Sequence, residues 1–173
     1  MEPSVMYLSD VAVDASMDQE IRDLLTTCFT KSQDGVFKNR RYFKEPYPHR
    51  WVIRNERGLL VAHVGLHEKM VEAGGRTFRI GGIAEVCVHP QARGKGSVRI
   101  MLREIDAWQA RQGFAFSMLF GDPKVYGSSG YVEVGNLVYG GEDNGWTPVP
   151  GMIKPLAQTP WPTGQVKLYG LKF

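Results

Sequence analysis

The residues of this chain best suited to chemistry form a short basic, glycine-rich run, RGKGSV, at 93–98. A β-prone apolar segment precedes this run, and a segment with helical spacing follows it. Gly94 and Gly96 carry no Cβ, so a ligand could approach their backbone closely. Free N–H groups and the positive end of a helix dipole favour phosphate at such a turn. The run therefore predicts a phosphate-binding turn, and a tight turn that binds nothing is the alternative.

Two familiar phosphate-binding patterns do not fit this run. A Walker A loop needs Ser or Thr after its lysine, whereas Lys95 is followed by Gly96. The dinucleotide pattern G-x-G-x-x-G needs a third glycine at the position of Arg99. Neither a P-loop nucleotide nor a dinucleotide is therefore predicted.

Several side chains outside the run could also take part in chemistry. Glu85 lies on a predicted apolar strand, where an unpaired carboxylate is costly to bury, so a general base and a salt bridge to Arg79 are both open. His63 and His67 share one strand face, but no further ligand follows at a zinc-site spacing, which favours hydrogen-bonded or solvated histidines. Cys87 is interpreted as a small apolar strand residue rather than as a nucleophile.

Helices and strands predicted from periodicity must position these residues. Helices are expected over about 17–29, with Ser16 and Gln19 at capping-box spacing, and from Val98 to a terminating Gly113. One short helix or a loop is expected between 30 and 50. Strands are expected at 4–8, 50–55, 59–71, 77–88, 114–120, 131–139 and 165–173, a hairpin turn at 73–75, a short helix at 122–126, and a long loop between 139 and 165. The order β-α-α-β-β-β-α-β-α-β-β predicts an α/β fold (an α+β mixed sheet) with six to seven strands and helices on both faces.

Composition is typical of an ordinary globular protein. A length of 173 residues suits a single domain, 1–173, and 43% hydrophobic with 23% charged residues fits that class. The net charge of +3 is too small to indicate nucleic acid. Two cysteines in apolar runs favour reduced thiols and a cytoplasmic location. The first residues do not resemble a signal peptide, and no stretch approaches the ~20 apolar residues of a membrane span.

Two motifs in order resemble the GNAT acetyltransferase superfamily. The run IAEVCVHPQARGKGSVRIML resembles motif A, in which a strand leads through [QR]-x-x-G-x-[GA] into a helix. Residues 93–98 match except at Val98, where the family has Gly or Ala. A register two residues earlier, 91–96, satisfies the pattern fully but sits less well relative to the helix. The run FGDPKVYGSSGYVEVG resembles motif B, Y-x-x-x-G-[FY], through Tyr126, Gly130 and Tyr131.

This resemblance implies the GNAT fold and an acetyl-CoA-dependent N-acetyltransferase that uses direct attack by a primary amine in a ternary complex. Acetyl-CoA is the expected co-substrate, and no metal is expected. Tyr126 would protonate the departing thiolate, and a main-chain N–H near Val88 would stabilise the oxyanion. Glu85 would be the general base, and a histidine (His63, His67 or His89) or a water chain is the alternative. The residues implied to hold the cofactor are Val86, Cys87, Val88, Arg93, Gly94, Lys95, Gly96, Ser97 and Val98.

The acceptor and the acyl group stay open at this stage. A small-molecule or peptide amine is expected, nucleic acid and membrane partners are not, and monomer and homodimer are both open. The strand pair around the 73–75 turn is also similar to aminoglycoside 2′-N-acetyltransferases and, more distantly, to nodulation N-acyltransferases. Two alternatives remain: an N-acyltransferase using longer acyl-CoA or a carrier protein, and a non-catalytic acyl-CoA-binding sensor, which Val98 favours.

Overall fold

The computed structural model describes residues 2–173, and their contacts divide the chain into two compact units. The first unit contains the chain up to His67 and Ala84–Glu104, and the second contains Glu68–Ile83 and Ile105–Phe173. Three continuous elements contribute residues to both units: strands β3 (Leu60–Ala73) and β4 (Arg76–Val88) and helix α2 (Ser97–Arg111).

The first unit begins with two strands and a helix, β1 (Val5–Ser9), α1 (Ala15–Cys28) and β2 (His49–Arg54). Strand β2 pairs antiparallel with β1 on one side and with β3 on the other. Short 3-10 turns lie at Asp10–Ala12, Ser32–Lys38 and Pro90–Ala92. Helix α1 buries one apolar stripe, and that stripe packs in a core that also contains residues of β2, β3 and β4. The core residues of this unit are Ile21, Leu24, Leu25, Phe37, Val52, Leu60 and Cys87.

The start of α1 differs from the predicted capping box. Asp14, in extended conformation, is the N-cap, and its carboxylate accepts a 2.8 Å hydrogen bond from the N–H of Met17. Ser16 already lies inside the helix, so the Ser16–Gln19 prediction is wrong. An aspartate caps a helix as well as a serine does, and it adds a negative charge at the positive end of the dipole.

The second unit contains the remaining strands and a short helix. These are β5 (Phe116–Leu119), α3 (Pro123–Tyr126), β6 (Val132–Val134), β7 (Leu137–Gly141), β8 (Gly145–Pro148), β9 (Gly151–Pro155) and β10 (Val166–Tyr169). Together with β3 and β4, these strands follow the hydrogen-bonded order β6-β9-β5-β4-β3-β10-β7-β8. The β4–β5 and β10–β7 pairs are parallel and the other registered pairs are antiparallel, so the sheet is mixed. The predicted α/β class with a mixed sheet is confirmed.

Residues 2–173 form ten strands rather than the predicted six to seven. The predicted strand at 131–139 is two strands, and the predicted loop after it contains β8 and β9. Strand β9 is only five residues long and ends at Pro155, yet it pairs with both β5 and β6. Such a segment is too short to show a period, and its stability comes from pairing that the sequence does not reveal.

The predicted hairpin between β3 and β4 is confirmed. Gly74 and Gly75 have φ of 57° and 77°, the left-handed values that a tight two-residue hairpin turn requires at both central positions. Among residues 2–173, no helix is long and apolar enough to cross a membrane.

Candidate active site

The glycine-rich turn connects β4 to α2 in the first unit. Gly94 and Gly96 have φ of 80° and 72°, values that side-chain-bearing residues rarely adopt. A Cβ at Gly94 would meet nothing within 4 Å, so backbone conformation rather than crowding requires glycine there. The turn is therefore open on the side where a Cβ would stand.

The first turn of α2 supplies amides beside these glycines. The carbonyl of Gly96 accepts the helical hydrogen bond from the N–H of Ile100 at 3.1 Å. The N–H groups of the residues between them have no acceptor within the helix, as at any helix N-terminus. Arg93 is anchored beside the turn, because its Nε donates to the carbonyl oxygen of Val88 at 3.1 Å. Amides, a helix dipole and a basic side chain thus lie together where an anion would be stabilised.

Glu85 interrupts the regular course of β4. Its φ is 45°, the one positive value among non-glycine residues of 2–173. A non-glycine residue in this region is strained, and such residues concentrate at functional sites. The backbone pairing of β4 with β5 spans Ile80–Gly82, before the strand reaches Glu85. The sequence gives no sign of this kink, since glutamate is not a residue that favours positive φ.

The Glu85 carboxyl group is buried, and its Oε2 has no hydrogen-bond partner. Burial raises its pKa from the ordinary 4.5 to about 7, against the lowering effects of the Tyr47 hydroxyl and the Arg50 charge. The salt bridge to Arg79 that the sequence left open is not formed, because Arg79 pairs with Glu68 at 3.2 Å. A carboxyl group with a pKa near 7 can take up and release protons at neutral pH.

The surroundings of Glu85 include Tyr47 and Arg50, which the sequence did not predict to lie near this carboxylate. Tyr47 is buried against β3, where a Cβ at Gly65 would overlap its ring. Arg50 is fully buried on β2, and its guanidinium lies 4.8 Å from the centre of the Tyr47 ring. A lone arginine at a strand start gives no sequence signal of burial, because only the partners around it make burial tolerable.

Cys87 is buried in the core of the first unit, as the apolar interpretation predicted. A thiol hydrogen bond with Cys28 and burial raise the pKa of Cys87 well above its usual range, which opposes the formation of a reactive thiolate. Among residues 2–173, no group of three or more His, Cys, Asp or Glu side chains is placed to hold a metal ion.

Tyr126 lies in the second unit, at the end of α3. Asp122 caps this short helix by accepting from the N–H of Lys124 at 2.8 Å. The Tyr126 ring lies over Gly121, where a Cβ would overlap it. It makes an angle of 71° with the Tyr131 ring at a centroid distance of 6.5 Å. A tyrosine hydroxyl is protonated at neutral pH and can act as a donor, and burial raises the pKa of Tyr126 further.

A buried polar network fixes the segment that follows Tyr126. The Tyr131 hydroxyl donates to Asp106 Oδ1 at 3.0 Å and lies 2.8 Å from Ser117 Oγ. Lys154 Nζ donates to Asp106 Oδ2 at 2.8 Å and to the Ser129 carbonyl oxygen at 3.0 Å. The sequence offered one sign of this network, a carboxylate at 106 within an otherwise apolar helical stripe.

The predicted site residues are distributed over the two units. Glu85, Val86–Val88 and 93–98 belong to the first unit, and Tyr126 belongs to the second. Within the first unit the turn is linked to β4 through Arg93 and Val88, as described above.

The sequence profile of the acetyltransferase (GNAT) domain family matches residues 11–134. This range is more than half of the chain and contains Glu85, the glycine-rich turn and Tyr126. A comparison with curated protein sequences found no match.

Solved structures share the fold. A GNAT family N-acetyltransferase from Escherichia coli in complex with CoA aligns with a TM-score of 0.68 and 18% identity, over 97% of this chain and 91% of that chain. A GNAT family acetyltransferase from Brucella melitensis in complex with acetyl-CoA aligns with a TM-score of 0.62 and 17% identity, over 95% of this chain and 96% of that chain. A probable N-acyltransferase of unknown function from Enterococcus faecalis aligns with a TM-score of 0.61 and 18% identity, over 78% of this chain and 33% of that chain. At these identities the similarity shows the fold alone, and the predicted GNAT fold is confirmed.

Proposed function

Because the chain belongs to the GNAT acetyltransferase family, we propose that it transfers an acetyl group from acetyl-CoA to a primary amine of a small molecule or peptide. The observation that carries this proposal is the open turn at 93–98, with two left-handed glycines directly before α2. The E. coli and B. melitensis structures were crystallised with CoA and acetyl-CoA, which supports the same ligand here. The two free thiols are compatible with a reducing compartment such as the cytoplasm.

The residues of the turn fit the diphosphate of coenzyme A. Amides at 94–98 and the start of α2 would donate to phosphate oxygens, with Arg93 and Lys95 adding positive charge. Residues Val86–Val88 would run along the pantetheine arm, and a main-chain N–H near Val88 would stabilise the oxyanion. Bound acetyl-CoA supplies a thioester carbonyl that is open to attack by an amine.

We assign the role of general base to Glu85. A free alkylamine is mostly protonated at neutral pH, since its pKa resembles the ~10.4 of lysine, so the reaction needs a group that removes a proton. A carboxylate with a pKa of about 7 is half ionised near neutrality and is a stronger base than an ordinary glutamate. The unpartnered Oε2 is the atom of Glu85 free to accept that proton, directly or through water.

We assign the role of proton donor to Tyr126. Its hydroxyl, which is protonated at neutral pH, would deliver a proton to the thiolate that leaves when the thioester is cleaved. The Asp106–Tyr131–Lys154 network would keep the backbone after Tyr126 in place during this step.

The proposal is tested by incubating the purified chain with acetyl-CoA and pools of amino acids, polyamines, aminoglycosides and peptides. Acetylated amines are detected by mass spectrometry rather than with thiol reagents, because Cys28 is a partly exposed free thiol that would react. We expect acetyl-CoA to bind by calorimetry and at least one amine to be acetylated, with Glu85→Gln as the control for uncatalysed transfer.

Three other results would change the assignment. Greater stabilisation and turnover with longer acyl-CoA thioesters, or with an acylated carrier protein, would make the chain a longer-chain N-acyltransferase. Binding of acetyl-CoA without transfer to any amine would favour an acyl-CoA sensor, the alternative that Val98 supports. Absence of any binding heat with acetyl-CoA or CoA would contradict the enzymatic proposal altogether.

A further inference from the structure

The kink at Glu85 requires a structural cause. A glutamate at φ 45° in the middle of a strand is strained and persists only where its surroundings fix it. Regular hydrogen bonding between strands cannot fix this conformation, because left-handed backbone breaks the regular alternation of a strand. We therefore expect hydrogen bonds of the Glu85 main chain to hold the kink.

His63 on β3 holds the main-chain carbonyl of Glu85. Its Nδ1 lies 2.9 Å from the Glu85 oxygen, and its Nε2 lies 3.1 Å from Arg50 Nη1. A guanidinium can only donate, so Nε2 must be the acceptor and Nδ1 must carry the proton. His63 is thus neutral and donates from Nδ1 to the carbonyl of the kinked residue. The pKa of His63, lowered to about 3 by burial and by the Arg50 charge, agrees with this state.

Arg50 is in turn fixed from three sides. In this fully buried side chain Nη1 donates to His63 Nε2, Nη2 donates to Asp10 Oδ1 at 2.5 Å, and the guanidinium lies over the Tyr47 ring. Asp10 is itself held by Arg41, which donates to both carboxylate oxygens at 2.8 and 2.9 Å. The orientation of Arg50, and with it the tautomer of His63, is therefore set by charged partners on other elements.

We propose that Arg50 and His63 are positioning residues that hold the left-handed kink at Glu85 and thereby set where its carboxylate points. The inference rests on the proposed function, in which that carboxylate is the general base. Arg50 fixes His63 as a donor, His63 fixes the Glu85 carbonyl, and the carbonyl fixes the backbone from which the side chain projects. Neither residue touches the reacting atoms in this scheme.

The test compares two substitutions of nearly equal size at one position. In His63→Asn the side-chain amide can still donate to the Glu85 carbonyl, whereas in His63→Leu no donor is left. We expect His63→Leu to lower kcat at least ten-fold with less than a three-fold change in KM for acetyl-CoA, and His63→Asn to recover most of that loss. If Asn and Leu are equally impaired, or if KM changes as much as kcat, the positioning role is wrong.

Arg50 is tested through the pH profile of the rate. The charged or titratable groups facing Glu85 are Tyr47, Arg50, Lys44, His63 and Cys87. Arg50→Met removes a positive charge that stabilises the Glu85 carboxylate, so the acidic limb of the kcat profile should move to higher pH. Arg50→Lys keeps a positive charge and should shift the acidic limb of the profile less. Identical profiles for wild type, Met and Lys would contradict the role of Arg50.

Two structural measurements separate this inference from the proposed function. Crystal structures of wild type and His63→Leu should show positive φ at Glu85 only in the wild type, and long-range ¹H–¹⁵N NMR should place the His63 proton on Nδ1. A His63→Leu structure that keeps the kink overturns the inference whatever the activity. A wild-type protein that binds acetyl-CoA but acetylates nothing overturns the proposed function, and the φ measurement still decides the inference.

Discussion

At the scale of single residues, Glu85 combines a positive φ, a buried carboxylate and an oxygen without a partner. Each of these features opposes folding, and together they cost more than a solvated glutamate in a regular strand would. A residue that costs stability in this way is usually retained for function. The stability cost of Glu85 can therefore be measured independently of the reaction.

We expect Glu85→Gln to stabilise the protein at alkaline pH while lowering kcat. The folded-state pKa of about 7 exceeds the ordinary 4.5, so the stability linked to this group is fully present below pH 4.5 and is lost as pH rises through 7. Above pH 8 the ionised carboxylate should cost up to about 3 kcal/mol. Urea unfolding at pH 5 and pH 9 measures the free energy of unfolding of both proteins. The increase caused by Glu85→Gln should be larger at pH 9 than at pH 5. An equal gain at both values would refute the raised pKa.

Tyr126→Phe is expected to lower kcat ten-fold or more with little change in affinity for acetyl-CoA. The substitution removes the proposed proton donor and keeps the ring that lies over Gly121 and beside Tyr131. Steady-state kinetics with an amine that the proposed screen shows to be acetylated measure both parameters. Tyr139→Phe is a matched control, because it removes a tyrosine hydroxyl from β7 of the same unit. Wild-type turnover in Tyr126→Phe would remove Tyr126 from the mechanism.

At the scale of elements, the turn between β4 and α2 should bind the cofactor only while its glycines keep left-handed conformation. Gly94→Ala strains a residue at φ 80° by roughly 1 kcal/mol or more, and relief of that strain would reorient the amides. We expect at least a five-fold weaker binding of CoA by calorimetry. Gly35→Ala is the control, since its Cβ also meets nothing within 4 Å and its φ is not positive. Equal affinities for both variants would mean that the turn does not bind the diphosphate.

Long periodic elements could be predicted from the sequence, and short paired ones could not. Helices α1 and α2 and the β3–β4 hairpin follow from apolar spacing and from two adjacent glycines. Strands β8 and β9 are four and five residues long and were predicted as loop, because their stability lies in partners far along the chain.

The same limit applies to the site. A glycine-rich turn before a helix is a local pattern, and the sequence predicted it with its correct position. The kink at Glu85 and the burial of Arg50 depend on His63, Asp10 and Tyr47, which three-dimensional contacts alone assemble. The position of the turn was therefore predictable from the sequence, but the hydrogen-bonded network around Glu85 was not.

At the scale of the whole molecule, a single domain spanning 1–173 stays a prediction. The chain contains two compact units, which by contact density alone could unfold separately. Strands β3 and β4 and helix α2 nevertheless contribute residues to both units. Neither unit therefore contains these three elements in full. Loss of either unit would leave the other with frayed strands and a truncated helix.

We therefore expect one cooperative unfolding transition. Trp51 lies in the first unit and Trp108, Trp146 and Trp161 lie in the second, so fluorescence of Trp51→Phe reports on the second unit while circular dichroism reports on both. Melting curves from the two probes should coincide, and saturating acetyl-CoA should raise both midpoints equally, because a ligand stabilises everything that unfolds with its site. Two separated transitions, with only one raised by acetyl-CoA, would show that the units fold independently and that the single-domain prediction is wrong.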